Sequence, residues 1–227
     1  MNLGATNLLV MRHAESLEDI DKTAYERIAD DDMPLSAKGE KQAIAFGSSL
    51  VEALGQKDCL LRIFLSPSKR VLRTACLAIS QLPPSIRYEF ITEPLIVKQN
   101  WGAVTTKNRV AIERERYMVG VLRYQFSGGE SGHEMLERFK IFAQKLSRNM
   151  RESGTITLTI VITHGFEMRV LLKTLLGWTE EYFESLAHPH HCEMKRLSVH
   201  GEKYQLLDEM RMNDPSRNPN FIRRQTS

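Results

Sequence analysis

Two apolar segments that each end abruptly in a histidine constrain the fold more than any other feature of this sequence. Residues 8–11 are followed by Arg12 and His13, and the β-branched segment 155–163 is followed by His164. Continuous apolar runs of this length are typical of parallel strands buried on both faces. Helical patterns separate the runs, which predicts an α/β three-layer sandwich, with helices on both faces of a mostly parallel sheet of five or six strands.

Capping and turn residues place the other elements along the chain. Ser36 and Gly55 bound a helix, and an apolar run over 59–65 stops at Ser66 and Pro67, which predicts an N-cap followed by the first helical residue. The acid-rich stretch 17–34 is predicted to be an exposed loop. Further predicted elements are a strand over 88–91, a helix over 108–119 with a basic face, a long helix opened by a capping box at Ser131, and a hairpin over 197–208.

Composition excludes several classes of protein. A formal net charge of +3 over 227 residues is too small to indicate binding to nucleic acid. The three cysteines form no CxxC pair, and no apolar run approaches the ~20 residues of a membrane span. The first residues lack the pattern of a secretory signal. We therefore expect a cytoplasmic protein with one domain over 1–212 and a loose polar tail over 213–227, and a homodimer is compatible with these features.

The carboxyl edge of the predicted sheet is where an anion would bind. Ligands of α/β proteins gather beyond the carboxyl ends of the parallel strands. His13 and His164 follow two such strands, and Arg70 lies in the first turn of the helix after a third. A cation in the first turn of a helix opposes the helix dipole, so it calls for an anion nearby. With Arg12, these residues place two imidazoles and two guanidinium groups around one anion site.

Several segments, in this order, carry a resemblance to a known family: Met11-Arg-His-Ala-Glu-Ser16, Pro34-Leu-Ser-Ala-Lys-Gly39, Ser66-Pro-Ser-Lys-Arg70 with Arg73-Thr-Ala75, Gly129-Glu-Ser131, and Thr163-His-Gly165 with Arg169. They resemble the signatures of the histidine phosphatase (phosphoglycerate mutase-like) superfamily, with alanine at position 14 where glycine is usual. The stretches 177–184 and 189–193 are similar to its plant and fungal branch.

The resemblance implies hydrolysis of a small phosphorylated substrate in two phosphoryl-transfer steps. His13 would form a phosphohistidine, and Arg12, Arg70 and His164 would hold the phosphoryl oxygens. Ser16, Lys98 and Gly165 are predicted to contact the substrate. No metal and no cofactor are expected, because guanidinium and imidazolium groups supply the positive charge.

Lys98 is the main departure from the family pattern. Aligned through Trp101 and Gly102, it occupies the position of the glutamate that protonates the leaving oxygen. Three interpretations stay open: Lys98 binds phosphate while another carboxyl group (Glu93 or Glu130, for example) donates the proton, the protein is a weak phosphatase, or it is a pseudophosphatase that binds phosphorylated ligands or partners without turnover. A phosphoglycerate mutase ranks behind these, because the mutases also use the glutamate.

Overall fold

The central sheet has six strands in the order β3-β2-β4-β1-β5-β6. The computed structural model describes residues 3–55, 59–152 and 158–213. Within them the strands are β1 (Leu8–Arg12), β2 (Cys59–Leu65), β3 (Ile86–Thr92), β4 (Leu158–Thr163), β5 (Met194–His200) and β6 (Lys203–Leu206). The first four strands in sequence pair in parallel with one another, whereas β5 and β6 add an antiparallel edge beside β1.

Helices cover both faces of the sheet. They are α1 (Leu17–Ile20), α2 (Ala37–Leu54), α3 (Lys69–Ile79), α4 (Arg109–Val119), α5 (Gly132–Glu152), α6 (Gly165–Leu176) and α7 (Glu180–Ser185), with shorter 3-10 turns at Lys22–Glu26, Asp30–Asp32 and Pro94–Ile96. Alternate residues of β1 enter two cores: Leu8 and Val10 pack with α5 and α6, and Leu9 and Met11 pack with α2 and α3. The predicted three-layer α/β fold is confirmed.

Residues 155–157 of the predicted central strand lie outside the described residues, and the described strand β4 is Leu158–Thr163. Most other predicted elements form, with two differences. The N-cap of α3 is Ser68 rather than Ser66, because Ser66 uses its hydroxyl to contact His164. The stretch 17–34 contains one helical and two 3-10 turns rather than an exposed loop, and it contributes the 8% exposed Glu18 to the interior.

The domain boundary predicted between residues 212 and 213 stays a prediction, since residues 214–227 lie outside the described part of the chain. Across residues 3–55, 59–152 and 158–213, the helices are all too short or too polar to cross a lipid bilayer.

Gly47 allows α2 and α3 to approach closely, because a Cβ atom there would overlap the main-chain oxygen of Ala78. We predict that Gly47→Ala lowers the free energy of unfolding by about 1–3 kcal/mol, since overpacking against a main-chain atom outweighs the gain in helix propensity. Urea denaturation measures the change. The exposed neighbour Ser48 provides a matched control, and a Gly47→Ala protein as stable as Ser48→Ala would contradict the packing argument.

Candidate active site

His13 and His164 meet at the carboxyl edge of the sheet because of the register between β1 and β4. Arg12 pairs with Thr163, so the next residue of each strand leaves the sheet at the same level. The two imidazole rings lie with their centroids 5.1 Å apart and their planes inclined by 71°. Both side chains are buried.

A hydrogen bond sets the tautomer of His13. Its Nδ1 lies 2.7 Å from the main-chain oxygen of Ala14, and a carbonyl oxygen can only accept, so Nδ1 carries the proton. The Nε2 atom then has a free lone pair. The adjacent main chain is held in turn, since Ala14 N donates to Thr74 Oγ1 over 3.1 Å. The ring is therefore held in place with the Nε2 lone pair available.

His164 is the N-cap residue of α6, and its ring is tied to the end of the neighbouring strand. Its Nε2 lies 2.9 Å from Ser66 Oγ and 3.4 Å from Ser68 Oγ. Its Nδ1 is buried and has no hydrogen-bond partner among the described residues.

Residues just before the antiparallel strand β5 help to hold the side chain of Arg12 in place. Its Nη1 donates to the main-chain oxygen of Pro189 over 2.8 Å, and its Nη2 lies 2.5 Å from His191 Nε2 and 3.6 Å from Asp19 Oδ1. Burial raises the pKa of Asp19, but hydrogen bonds from His191 and Ser16 outweigh it, and the net pKa lies far below its ordinary value. Asp19 is therefore a carboxylate that balances the charge of Arg12.

Arg70 is fully buried behind the two imidazoles, and Asp30 is its counter-ion. One guanidinium nitrogen donates to the main-chain oxygen of Asp30, and Nη2 lies 3.0 Å from its Oδ2. The other carboxylate oxygen lies 2.6 Å from Lys98 Nζ, which also contacts Tyr25 Oη at 2.8 Å and Glu18 Oε2 at 3.4 Å. Although burial raises the pKa of Asp30, the charges of Lys98 and Arg70 bring the net pKa below its usual value.

Burial and nearby cations keep both central histidines neutral. Desolvation lowers the pKa of His13 well below its ordinary value, and the positive charges of Arg70 and Arg12 lower it further. The pKa of His164 is lowered in the same way, first by burial and then by Arg70.

Three nitrogen atoms around the rings, Arg12 Nε, Arg70 Nε and His164 Nδ1, are buried without a hydrogen-bond partner in the described part of the protein. Buried polar atoms are normally paired, so this grouping of nitrogens suits a ligand rich in acceptor oxygens. A tetrahedral oxyanion such as phosphate fits that requirement.

A cleft of about 1750 Å³ opens above these groups. The predicted residues Arg12, His13, Lys98, His164 and Gly165 all line it. A Cβ atom at Gly165 would overlap the ring of His188, so a side chain at this position would displace that ring.

The remaining predicted residues lie elsewhere. Arg70 acts on both imidazoles from beneath the cleft. Ser16 does not line the cleft. It is buried and donates from Oγ to Asp19 Oδ2 over 2.8 Å, so it orients the partner of Arg12.

The two carboxyl groups that sequence reasoning suggested as proton donors do not line the cleft. Glu93 lies 2.5 Å from Lys145 Nζ, and Glu130 lies 2.7 Å from Arg138. Glu167, which sequence reasoning missed, lines the cleft and is 2% exposed. Its position three residues after His164, on the first turn of α6, is the signal that could have found it.

The predicted basic face of α4 is divided between solvent and the cleft. Arg114 is exposed, whereas Arg116 is buried and lines the cleft. Its guanidinium group stacks 4.4 Å from the ring of Phe166 and donates to Gln99 Oε1 over 2.9 Å.

The fold and the cleft define a class of protein, in which two imidazoles and two guanidinium groups meet at the carboxyl edge of a mostly parallel sheet. The chain belongs to the histidine phosphatase superfamily (branch 1), which it matches over residues 8–211. The family resemblance of the sequence motifs is thus confirmed.

Individual relatives agree with this assignment. The chain is 26% identical over 207 residues to the phosphoglycerate mutase-like protein AT74H of Arabidopsis thaliana, covering 85% of this chain and 73% of that protein. It is 28% identical over 107 residues to the broad-range acid phosphatase DET1 of Saccharomyces cerevisiae, covering 45% of this chain and 32% of the relative. In structure it resembles a mycobacterial glucosyl-3-phosphoglycerate phosphatase solved with VO3, with a TM-score of 0.68, 18% identity, and coverage of 92% of this chain and all of the other.

The buried neutral histidines predict a dependence of stability on pH. Below pH 6.5 the unfolded chain binds protons at its histidines, whereas His13 and His164 stay neutral in the folded state, so stability falls as the pH falls. We predict that His164→Asn reduces this slope by up to about 1.4 kcal/mol per pH unit. Urea titrations between pH 8 and 5 in phosphate-free buffer measure it. The exposed His200 is the control, and equal slopes for His164→Asn and His200→Asn would refute the prediction.

Proposed function

We propose that this protein hydrolyses small phosphomonoesters through a phosphohistidine on His13. The observation that carries the proposal is the free Nε2 of His13, on a ring that lies beside His164 and feels the charges of the buried Arg70 and the partly buried Arg12. A neutral imidazole with a fixed lone pair can attack phosphorus, and fixed cations stabilise the charge that spreads over the phosphoryl oxygens. The phosphatase names among the relatives support the same reaction class.

The three unpaired nitrogens define the roles of the surrounding residues in this proposal. Arg12 Nε, Arg70 Nε and His164 Nδ1 would each contact a phosphoryl oxygen, while the Nη atoms of both arginines keep their present partners. Because the cations are held before the substrate arrives, little reorganisation is needed during the reaction.

Lys98 acts in this proposal mainly as a counter-ion. It neutralises Asp30 and Glu18, whose negative charges would otherwise repel a phosphate dianion near His164. Because Lys98 Nζ already has three close oxygen partners, it would make only a secondary contact with the phosphoryl group.

The substrate is proposed to carry a second anionic group. Arg116 and Arg169 line the cleft beyond His164, both are buried, and Nε of each has no partner in the described residues. Burial lowers the pKa of Arg169 to about 10, yet the guanidinium stays protonated at neutral pH. Two buried cations on one wall would attract a carboxylate or a further phosphate.

The catalytic proposal predicts a covalent intermediate. Rapid mixing with radiolabelled p-nitrophenyl phosphate should label the wild-type protein with a phosphoryl group that is stable in alkali and labile in acid. His13→Ala should abolish the label and lower kcat by a factor on the order of 10³ or more, because the nucleophile is lost. His200→Ala, an exposed substitution away from the cleft, should retain both.

The labelling measurement and product analysis with 3-phosphoglycerate together separate the alternatives. A phosphate-binding protein without turnover would bind inorganic phosphate but acquire no label. A mutase would return an isomeric phosphate ester, whereas a phosphatase returns inorganic phosphate. Either result would contradict the proposed hydrolysis.

The second anion site predicts how the rates on two closely matched substrates should compare. 3-Phosphoglycerate differs from glycerol 3-phosphate by a carboxylate in place of a hydroxymethyl group. The ratio of their kcat/KM values should fall by about 10- to 100-fold in Arg116→Gln, as expected for the loss of a charge-assisted hydrogen bond. Arg114→Gln removes an exposed arginine from the same helix and should keep the wild-type ratio. An unchanged ratio in Arg116→Gln would rule out the second anion site.

A further inference from the structure

The groups described so far do not include a proton donor for the leaving oxygen. Lys98 Nζ is held by Asp30 and Tyr25, and its ammonium group is poorly matched to this task. Asp19 is a carboxylate fixed by hydrogen bonds, and Glu18 is paired with Lys98 at 3.4 Å.

Glu167 contacts the segment around residue 98, where members of the family carry a glutamate according to the resemblance. It lies on the first turn of α6, and its Oε1 accepts a hydrogen bond of 2.6 Å from the main-chain nitrogen of Gln99, the residue after Lys98. The segment itself is tied to β4, because Thr163 Oγ1 donates to the main-chain oxygen of Ile96 over 2.8 Å. The carboxyl group of Glu167 therefore lies beside position 98, although Glu167 belongs to a different element, α6.

The surroundings of Glu167 favour a carboxyl group that can hold a proton. Burial raises its pKa, and this outweighs the hydrogen bond from Gln99. The charged groups that act on it are Arg12 from β1, Lys98, Arg116 from α4 and Arg138 from α5. A bound phosphate dianion offsets these positive charges, so substrate binding raises the pKa of Glu167 further.

We propose that Glu167 is the general acid and base of this cleft, in place of the glutamate that Lys98 replaces. This inference rests on the proposed phosphohistidine mechanism and adds to it a catalytic residue on α6.

The proton and electron movements balance over the two steps. First, the lone pair of His13 Nε2 forms the P–N bond as the ester P–O bond breaks, and the departing oxygen takes the proton of Glu167. The alcohol leaves, and Glu167 is a carboxylate. Then a water oxygen attacks phosphorus, the electron pair of the P–N bond returns to Nε2, and Glu167 takes the proton of that water. Inorganic phosphate leaves with both residues in their starting states.

The test compares leaving groups in Glu167→Gln, which keeps an acceptor for Gln99 N but holds no titratable proton. The measured quantity is kcat/KM, which reports on the first phosphoryl transfer. For an alkyl phosphate it should fall by about 10²–10⁴-fold, whereas for p-nitrophenyl phosphate it should change by less than about tenfold, because nitrophenolate needs no protonation to leave. The basic limb of the pH profile for the alkyl ester should disappear in the variant. Glu167→Asp should give an intermediate loss confined to the alkyl ester.

Glu130→Gln is the matched control, since Glu130 also contacts the segment over 99–100 but does not line the cleft, and it should behave as wild type. Equal losses on both esters in Glu167→Gln and Glu167→Asp would indicate a structural role and overturn the inference. A selective loss in Glu18→Gln, or none in either Glu167 variant, would do the same. His13→Ala separates failure of the proposed function from failure of this inference. If His13→Ala retains activity, the phosphohistidine mechanism itself is wrong. If His13→Ala is inactive but Glu167→Gln is unaffected, only the role of Glu167 is wrong.

Discussion

The buried charge of Arg70 is the constraint on which the rest of the cleft depends. A guanidinium group without solvent access needs a counter-ion, since an unpaired buried ion costs several kcal/mol. Asp30 meets that requirement with its main-chain oxygen and one carboxylate oxygen. Its other oxygen binds Lys98, so one side chain joins the helix α3, the 3-10 turn over Asp30–Asp32 and the segment after β3. The polar stretch before residue 34 is held against the sheet by this network.

Burial, together with the same buried charge, explains how two histidines can lie side by side as neutral rings. An imidazolium beside Arg12 and Arg70 would add a third positive charge to a region with little solvent, so both pKa values are lowered. A nucleophilic histidine must keep its lone pair at neutral pH, and a phosphoryl group needs positive charge around its oxygens. In the proposed reaction, one pair of guanidinium groups would serve both needs, because these groups stay charged where imidazoles do not.

The sequence predicts those parts of the site that depend on strand ends. His13, His164 and Arg70 each follow a strand within a few residues, and parallel strands bring their carboxyl ends together whatever the loops do. The positions of Asp30 and Glu18 could not be predicted in this way. Their stretch is polar and acid-rich, which is typical of a solvated loop, and only Arg70 and Lys98, 40 or more residues later, give these carboxylates a reason to turn inward. The burial of Arg116 could not be predicted for a similar reason. It depends on stacking against Phe166, and no pattern in the sequence of α4 reveals that contact.

Lys98 and Glu167 are best understood as parts of one arrangement of charge. A glutamate at position 98 would stand among Asp30 and Glu18, so three carboxyl groups would crowd the space that a phosphate dianion approaches. A lysine there removes that repulsion and leaves room for one carboxyl group from another element. Glu167 occupies such a place, buried on the first turn of α6 and within reach of the main chain beside Lys98. Exchanging Lys98 alone for a glutamate would therefore restore a family motif while destroying the charge balance around it.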